Sequence, residues 1–246
     1  MPSIEIGRRW RRHAAALCLV VFAASAQAAD GANLAGMWKN AVPRSSISAE
    51  GGVIPFTGAG RKQYAENKRY KASKRYDDYD YTTSRCSLPG MPRIMLTAER
   101  FEILQQPDLI LMAFESNRAR RFIALPPLAP QKALFDFGGS TEDLVGTMMG
   151  TSTGRWEGDT LVVTTGKFSD RSLIDELVPH GYGLKVTERL RLKDPDTLED
   201  RMTIEVAEYF TRPWGAMLTY RRQPNAVIPE QVCLDGLQGP PPLPTR

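Results

Sequence analysis

Gly150-Thr-Ser-Thr-Gly-Arg-Trp-Glu-Gly-Asp-Thr-Leu-Val-Val163 decides the fold, because it supports two incompatible readings. As a string, Gly150-x-Ser152-x-Gly154 is the nucleophile elbow of serine hydrolases, which needs a strained strand-to-helix turn. Ser152 is followed instead by Arg155-Trp156-Glu157-Gly158-Asp159 and the β-branched run Thr160–Thr165. That pattern is a β-hairpin turning at Glu157-Gly158-Asp159. Chain order permits a triad of Ser152, Asp170 or Asp175, and His180. Without the helix, order alone does not make one. Ser152 is therefore expected to be an ordinary strand residue.

Outward from the hairpin, the chain from residue 101 onward reads as a succession of strands. Phe101–Gln105 and Leu109–Phe114 flank a turn at Gln106-Pro107-Asp108, and Ser116-Asn117 turns the chain into Ala119–Leu125. Leu109–Phe114 lacks alternation, as expected of a strand buried on both faces. Leu184–Leu192 and Arg201–Phe210 form a second hairpin around Asp194-Pro195-Asp196, and Trp214–Gln223 supplies a last strand. On the N-terminal side, Thr57 caps a helix near residues 58–70. From Arg61 to Arg85, basic residues interleave with Tyr64, Tyr70, Tyr76, Tyr79 and Tyr81, a composition that can bind single-stranded nucleic acid. Asp77, Asp78 and Asp80 interrupt it, so a solvated helix and loop is the better reading. Short strands with turn punctuation and almost no helical periodicity predict an antiparallel all-β domain, and barrel closure removes its exposed edges.

The N-terminus reads as a secretory signal over residues 1–28. Arg8, Arg9, Arg11 and Arg12 precede an apolar run from Ala14 to Ala24, and Ala26-Gln27-Ala28 is a small-residue cleavage site. The run is shorter than the ~20 residues that span a bilayer, so no stable membrane insertion is expected. Removing four arginines and one glutamate takes the formal charge from +4 to +1. The basic balance thus belongs partly to the signal, and no charge argument for nucleic acid survives. The protein is expected to be exported: periplasmic in a Gram-negative source, otherwise secreted. In that compartment Cys86 and Cys233 are expected to pair, against the alternative of two unpaired buried thiols. Residues 29–238 form the single domain, and the Pro-rich stretch 239–246 reads as a disordered tail.

Chemistry is sparse. Beyond the signal the only histidine is His180, so a metal centre is not expected. No dinucleotide or phosphate fingerprint is present, and no cofactor is implied. One carboxylate stands out. Along Leu184, Val186, Glu188, Leu190 and Leu192, alternate positions are apolar apart from Glu188, so strand phase points it inward. A buried carboxylate must be paired or neutralised; Arg155, Arg212 and Arg222 are candidate partners. Glu188, His180 and Asp170 are the candidate catalytic residues, with Glu188 and His180 as acid and base. Trp38, Trp156 and Trp214 read as core or barrel-end residues, and Trp156 and Trp214 also as pocket lining. Arg155, Tyr209 and Arg212 complete the candidate ligand-binding set.

Several motifs are shared with a known family. Arg85-Cys86-x-x-Pro89-Gly90-x-Pro92-Arg93, Phe101-Glu102-Ile103, Gly154-Arg155-Trp156-Glu157-Gly158-Asp159-Thr160-Leu161-Val162-Val163, Phe168-x-Asp170-Arg171, Val186-x-Glu188-Arg189 and Tyr209-x-x-Arg212-Pro213-Trp214 occur in that order. The series, with Cys233 beyond it, resembles an uncharacterised family of exported bacterial proteins across roughly residues 34–235. Family members often carry His-Ser where this chain has Thr151-Ser152, so a role resting on that histidine is in doubt here. Gly36-Met37-Trp38 resembles the Gly-x-Trp of lipocalin and calycin barrels, whose Trp closes one barrel end. The expected fold is a calycin- or lipocalin-like, single-domain antiparallel barrel. The expected function is binding of a small, largely apolar molecule in a barrel pocket. A cofactor-independent lyase, isomerase or hydratase acting on a hydrophobic or aromatic small molecule, and a structural envelope protein with a packed interior, are the alternatives.

Overall fold

Alternating side chains give this chain one apolar and one polar face per strand, and the apolar face is buried by closing the sheet on itself. A computed structural model describes residues 31–127 and 146–229. The signal region, Cys233 and the Pro-rich tail lie outside these residues. Nine strands follow one another round a closed barrel: β1 (Gly36–Asn40), β2 (Arg100–Gln105), β3 (Leu109–Phe114), β4 (Arg120–Ala124), β5 (Thr151–Glu157), β6 (Thr160–Gly166), β7 (Lys185–Asp194), β8 (Thr197–Glu205) and β9 (Trp214–Arg222). The expected all-β barrel is what the chain forms. Neighbours are antiparallel except β4 and β5, which run parallel through only two register pairs, Ile123 with Ser152 and Ala124 with Thr153. β9 returns to β1 and closes the wall.

The deciding segment is a hairpin. β5 and β6 pair from Thr151–Gly166 to Glu157–Thr160, and the turn between them carries Gly158 at φ 63°. Gly158 suits that left-handed position because it has no Cβ to clash. Two expected strands are corrected. Leu109–Phe114 alternates, with only Ile110, Met112 and Phe114 fully buried, so its outward residues are half-covered rather than sandwiched. The strand expected at Arg201–Phe210 runs instead from Thr197 to Glu205. A tight turn in which Asp194 accepts from the Asp196 amide returns the chain early, and the chain bends again at Val206–Phe210.

Each end of the barrel is closed by a different device. At one end Trp38 lies fully buried under Arg222, whose guanidinium carbon is 4.2 Å from the ring centroid. Arg222 also donates to the Ala35 and Pro195 carbonyls at 2.7 and 2.8 Å, tying β1 to the β7–β8 turn. Toward the opposite end the 3-10 turn Arg93–Leu96 inserts Ile94, Met95 and Leu96 into the core. The Met95 carbonyl accepts from Asn40 and from the Tyr220 hydroxyl. Helix α1 (Gly58–Ala72) lies outside the wall, capped by Thr57 as expected, and buries only Gly60 and Asn67. A 3-10 turn (Tyr76–Asp78) and helix α2 (Tyr81–Arg85) follow.

The Arg85–Arg93 motif has a mechanical role in this closure. Cys86 ends α2 in the left-handed conformation, φ 51°. Gly90, at φ 74°, sits beneath the Met148 carbonyl, 2.6 Å from where a Cβ would stand. Arg93 is buried and donates two bonds to Asp80, which anchors the plug. Burial pushes the Asp80 carboxyl upward, but Arg93 outweighs it and the group is held below its usual range. Replacing Gly90 by Ala combines a strained φ with a backbone collision. Chemical denaturation is expected to show a loss of about 1–3 kcal/mol. A change within about 0.5 kcal/mol, the range of neutral surface substitutions, would remove this account of the motif.

Candidate functional site

The barrel interior carries a polar network built on four strands. Arg121 on β4 reaches across the inner faces of β5 and β6 to Glu188 on β7. Arg121 is 1% and Glu188 0% exposed. Nη1 donates to Glu188 Oε1 at 2.9 Å, and Nη2 donates to Oε2. On the way the guanidinium meets the hydroxyls of Ser152, at 3.0 Å from Nε, and Thr165, at 2.8 Å from Nη2. Met112 Sδ lies 3.8 Å from Nη1. Every N–H of the guanidinium therefore has an acceptor. Ser152, the apparent elbow serine, is an inward strand residue that serves Arg121 and shares a 2.9 Å hydrogen bond with Thr165.

Glu188 faces inward, as its strand phase predicts, but its partner is none of the arginines considered from the sequence. Arg155 is exposed and pairs with Glu157, Arg212 is exposed, and Arg222 covers Trp38 at the barrel end. Arg121 carried the same signal as Glu188. Ala119, Arg121, Ile123 and Leu125 share one strand phase, apolar but for the arginine.

A second carboxyl lies next to this pair. Asp200 on β8 is 0% exposed, and neither oxygen has a hydrogen-bond partner among the described residues. Burial, then repulsion from Glu188, pushes its carboxyl well above the ordinary range, with Arg121 opposing. Burial and the same two acids raise the Tyr220 phenol.

Of the remaining candidates, Asp170 lies near enough to His180 and Tyr209 for its charge to act on both. His180 is buried; its Nε2 lies 3.0 Å from Ser172 Oγ and its Nδ1 3.1 Å from the Gly181 carbonyl. Burial lowers its pKa, so the ring is neutral at pH 7. Asp170 is exposed and bonds Tyr182. Glu188, His180 and Asp170 thus have separate partners. Asp175, the other carboxylate open to a triad, accepts from the backbone amides of Ile47, Leu177 and Val178. Trp156 is half-buried, with Gly31 pressed against its ring. Trp214 is buried edge-on to Phe210 at 5.4 Å. Tyr209 accepts the Thr57 amide at its carbonyl, and burial raises its phenol. No group of three or more His, Cys, Asp or Glu that could hold a metal occurs among the described residues.

A cleft of about 500 Å³ opens between the exit of β1 (Pro43–Ser45), the residues leading into β2 (Thr97–Glu99) and the β3–β4 turn (Ser116, Asn117), with Arg93 and Glu176 in its wall. Arg93 is neutralised by Asp80 and Glu176 by Lys71. Arg44 and Glu99 have no ion-pair partner among the described residues. Sequence reading did not reach these residues, because they come from separate loops and carry no common motif. The class defined by this architecture is a closed nine-stranded β-barrel with a strutted interior. No family model matches the chain, and no curated protein matches it.

Two outcomes follow for the interior. Glu188→Ala strands the Arg121 charge and is expected to cost about 3–5 kcal/mol, whereas replacing both residues with well-packed apolar ones recovers most of that loss. Urea denaturation of the single and double variants measures it. A single variant within experimental error of the parent would show that the pair is not desolvated. Burial lets Asp200 hold its proton to higher pH in the fold than in the unfolded chain, which releases it above about pH 3.9. Its contribution is fully present below that value and is lost as pH rises through the raised folded pKa. Asp200→Asn is therefore expected to flatten the decline in stability with rising pH, with a larger gain at pH 8 than at pH 5. Equal shifts at both values would contradict a titrating Asp200.

Proposed function

We propose that this is an exported binding protein whose rigid barrel presents the end cleft to a small polar molecule. The carrying observation is the cleft itself, a concave space of about 500 Å³ whose lining includes Arg44 and Glu99, a cation and an anion without an ion-pair partner among the described residues. Its size falls within the range of small-molecule sites, and the opposed charges suit a ligand of amino-acid size with an anionic and a cationic or donor end. An apolar guest in the lumen was the expectation from sequence. The continuous buried core, from Trp38 through Met112 and Met202 to Tyr220, favours the cleft instead. Export rests on the basic, apolar and Ala-Gln-Ala succession at the N-terminus. No helix among the described residues is long and apolar enough to cross a membrane, which does not bear on β-strands. We also propose the Cys86–Cys233 pairing on the grounds of that compartment, and membership of the exported family on the ordered motif series.

A structural envelope protein is the second reading, and the Arg121–Glu188 strut in a packed interior favours it. A lyase, isomerase or hydratase has weaker support, since Glu188 is committed to Arg121 in the core. Calorimetry with a panel of zwitterionic, anionic and polyhydroxy small molecules separates the two leading readings. A cleft ligand is expected to lose about tenfold or more in affinity, about 1.4 kcal/mol, in Arg44→Ala and in Glu99→Gln, with thermal stability unchanged. If no compound in the panel binds, or if binding ignores both substitutions, the cleft reading is rejected and the structural one stands.

A further inference from the structure

Among the described residues the lumen contains one cation, Arg121, and two acids, Glu188 and Asp200, and only Glu188 has a partner. Strand register places Asp200 in an inward row with Leu161, Leu190 and Leu218, so its carboxyl faces the interior between apolar neighbours. The groups that act on it are Glu188 from β7, Arg121 from β4 and Tyr220 from β9. Arg121 is fully committed to Glu188, Ser152, Thr165 and Met112, and the Tyr220 hydroxyl to the Met95 carbonyl at 3.2 Å. A buried polar group without a partner is rare in folded proteins and calls for an explanation, an ion or ligand among them.

Charge balance selects the guest. Arg121 and Glu188 cancel, so Asp200 stays neutral by keeping its proton or ionises by acquiring a second cation. Met95, Met112 and Met202 share the same buried core. Unbranched thioether side chains adapt more readily than branched ones and can yield the volume of one small guest.

We propose that Asp200 is a lumen site for a small ammonium-type cation, separate from the end cleft. The guest's N–H groups donate to the two Asp200 oxygens. The carboxyl's O–H bond breaks as the cation enters, and its proton leaves to solvent. One positive charge enters as another departs, so the net charge of the interior is unchanged.

The test uses the full mature chain, titrated with ammonium chloride and methylammonium chloride near neutral pH at fixed ionic strength. Calorimetry in two buffers of different ionisation enthalpy counts the protons released. Saturable binding is expected, with about one proton released per cation by linkage. Affinity is expected to fall about tenfold or more in Asp200→Asn, a nearly isosteric change whose folding is checked by circular dichroism. Potassium chloride, equal in charge but without hydrogen-bond donors, is expected not to compete. Absence of saturable binding, unchanged binding in Asp200→Asn, binding without proton release, or equal competition by potassium would each overturn the proposal. None of these outcomes depends on Arg44 or Glu99, so failure here is distinct from failure of the cleft reading.

Discussion

Arg121 and Glu188 meet inside the barrel with almost no exposed surface, and the wall is least continuous beside them. β4 and β5 run parallel and share two register pairs, whereas β5 and β6 share seven and β7 and β8 nine. That parallel seam is the weakest join described in the sheet. The guanidinium bridges it from within, starting on β4 and binding Ser152 on β5, Thr165 on β6 and Glu188 on β7. Along the wall this spans three strand spacings, about 14 Å. A buried ion pair adds little net stability over apolar residues, because desolvation offsets the attraction. Its effect here is selective: a one-residue slip of β5 or β7 would turn Ser152 or Glu188 to the outer face. Such a slip would leave Arg121 charged and unpaired in the core.

The same logic explains what was legible in the sequence. Glu188 was visible because its strand has one ionisable residue in an otherwise apolar phase. Arg121 among Ala119, Ile123 and Leu125, and Asp200 among Leu198, Met202 and Ile204, follow the same rule. Asp200 escaped because its strand was begun at Arg201, after the residue that mattered. Arg121 escaped because it stands beside a second arginine, Arg120. Only strand phase separates them, with Arg120 exposed and Arg121 buried. The hairpin at Gly150–Val163 was readable because its register is set by local turn chemistry. The parallel seam depends on a long connection, from which local periodicity gives no register.

The motif series takes on a physical meaning that differs from a catalytic one. Gly90 allows the plug to pass beneath Met148, Arg93 anchors it through Asp80, Gly158 makes the β5–β6 turn, and Trp214 packs on Phe210. Gly154 stands where a Cβ would approach Ile123 and Leu125 within 3 Å, so it lets β4 and β5 close at the seam. These residues specify the shape of a barrel. The residues lining the cleft come instead from loops, where sequence is freer to vary without disturbing the wall.

That division bears on how a single scaffold can carry a strutted interior together with the cleft proposed as a binding surface. The strut and the Trp38–Arg222 closure tie neighbouring strands together, and the loops bearing Arg44, Glu99 and Asn117 line the cleft. Pre-ordered loops lose less conformational freedom on binding, which raises affinity without adding contacts. Asp200 stands apart from this design. An unanswered acid in the core weakens the fold in proportion to its ionisation, and replacing it with leucine would extend the apolar row it interrupts. A side chain that opposes stability where its neighbours promote it is more readily explained by chemistry in the lumen than by architecture.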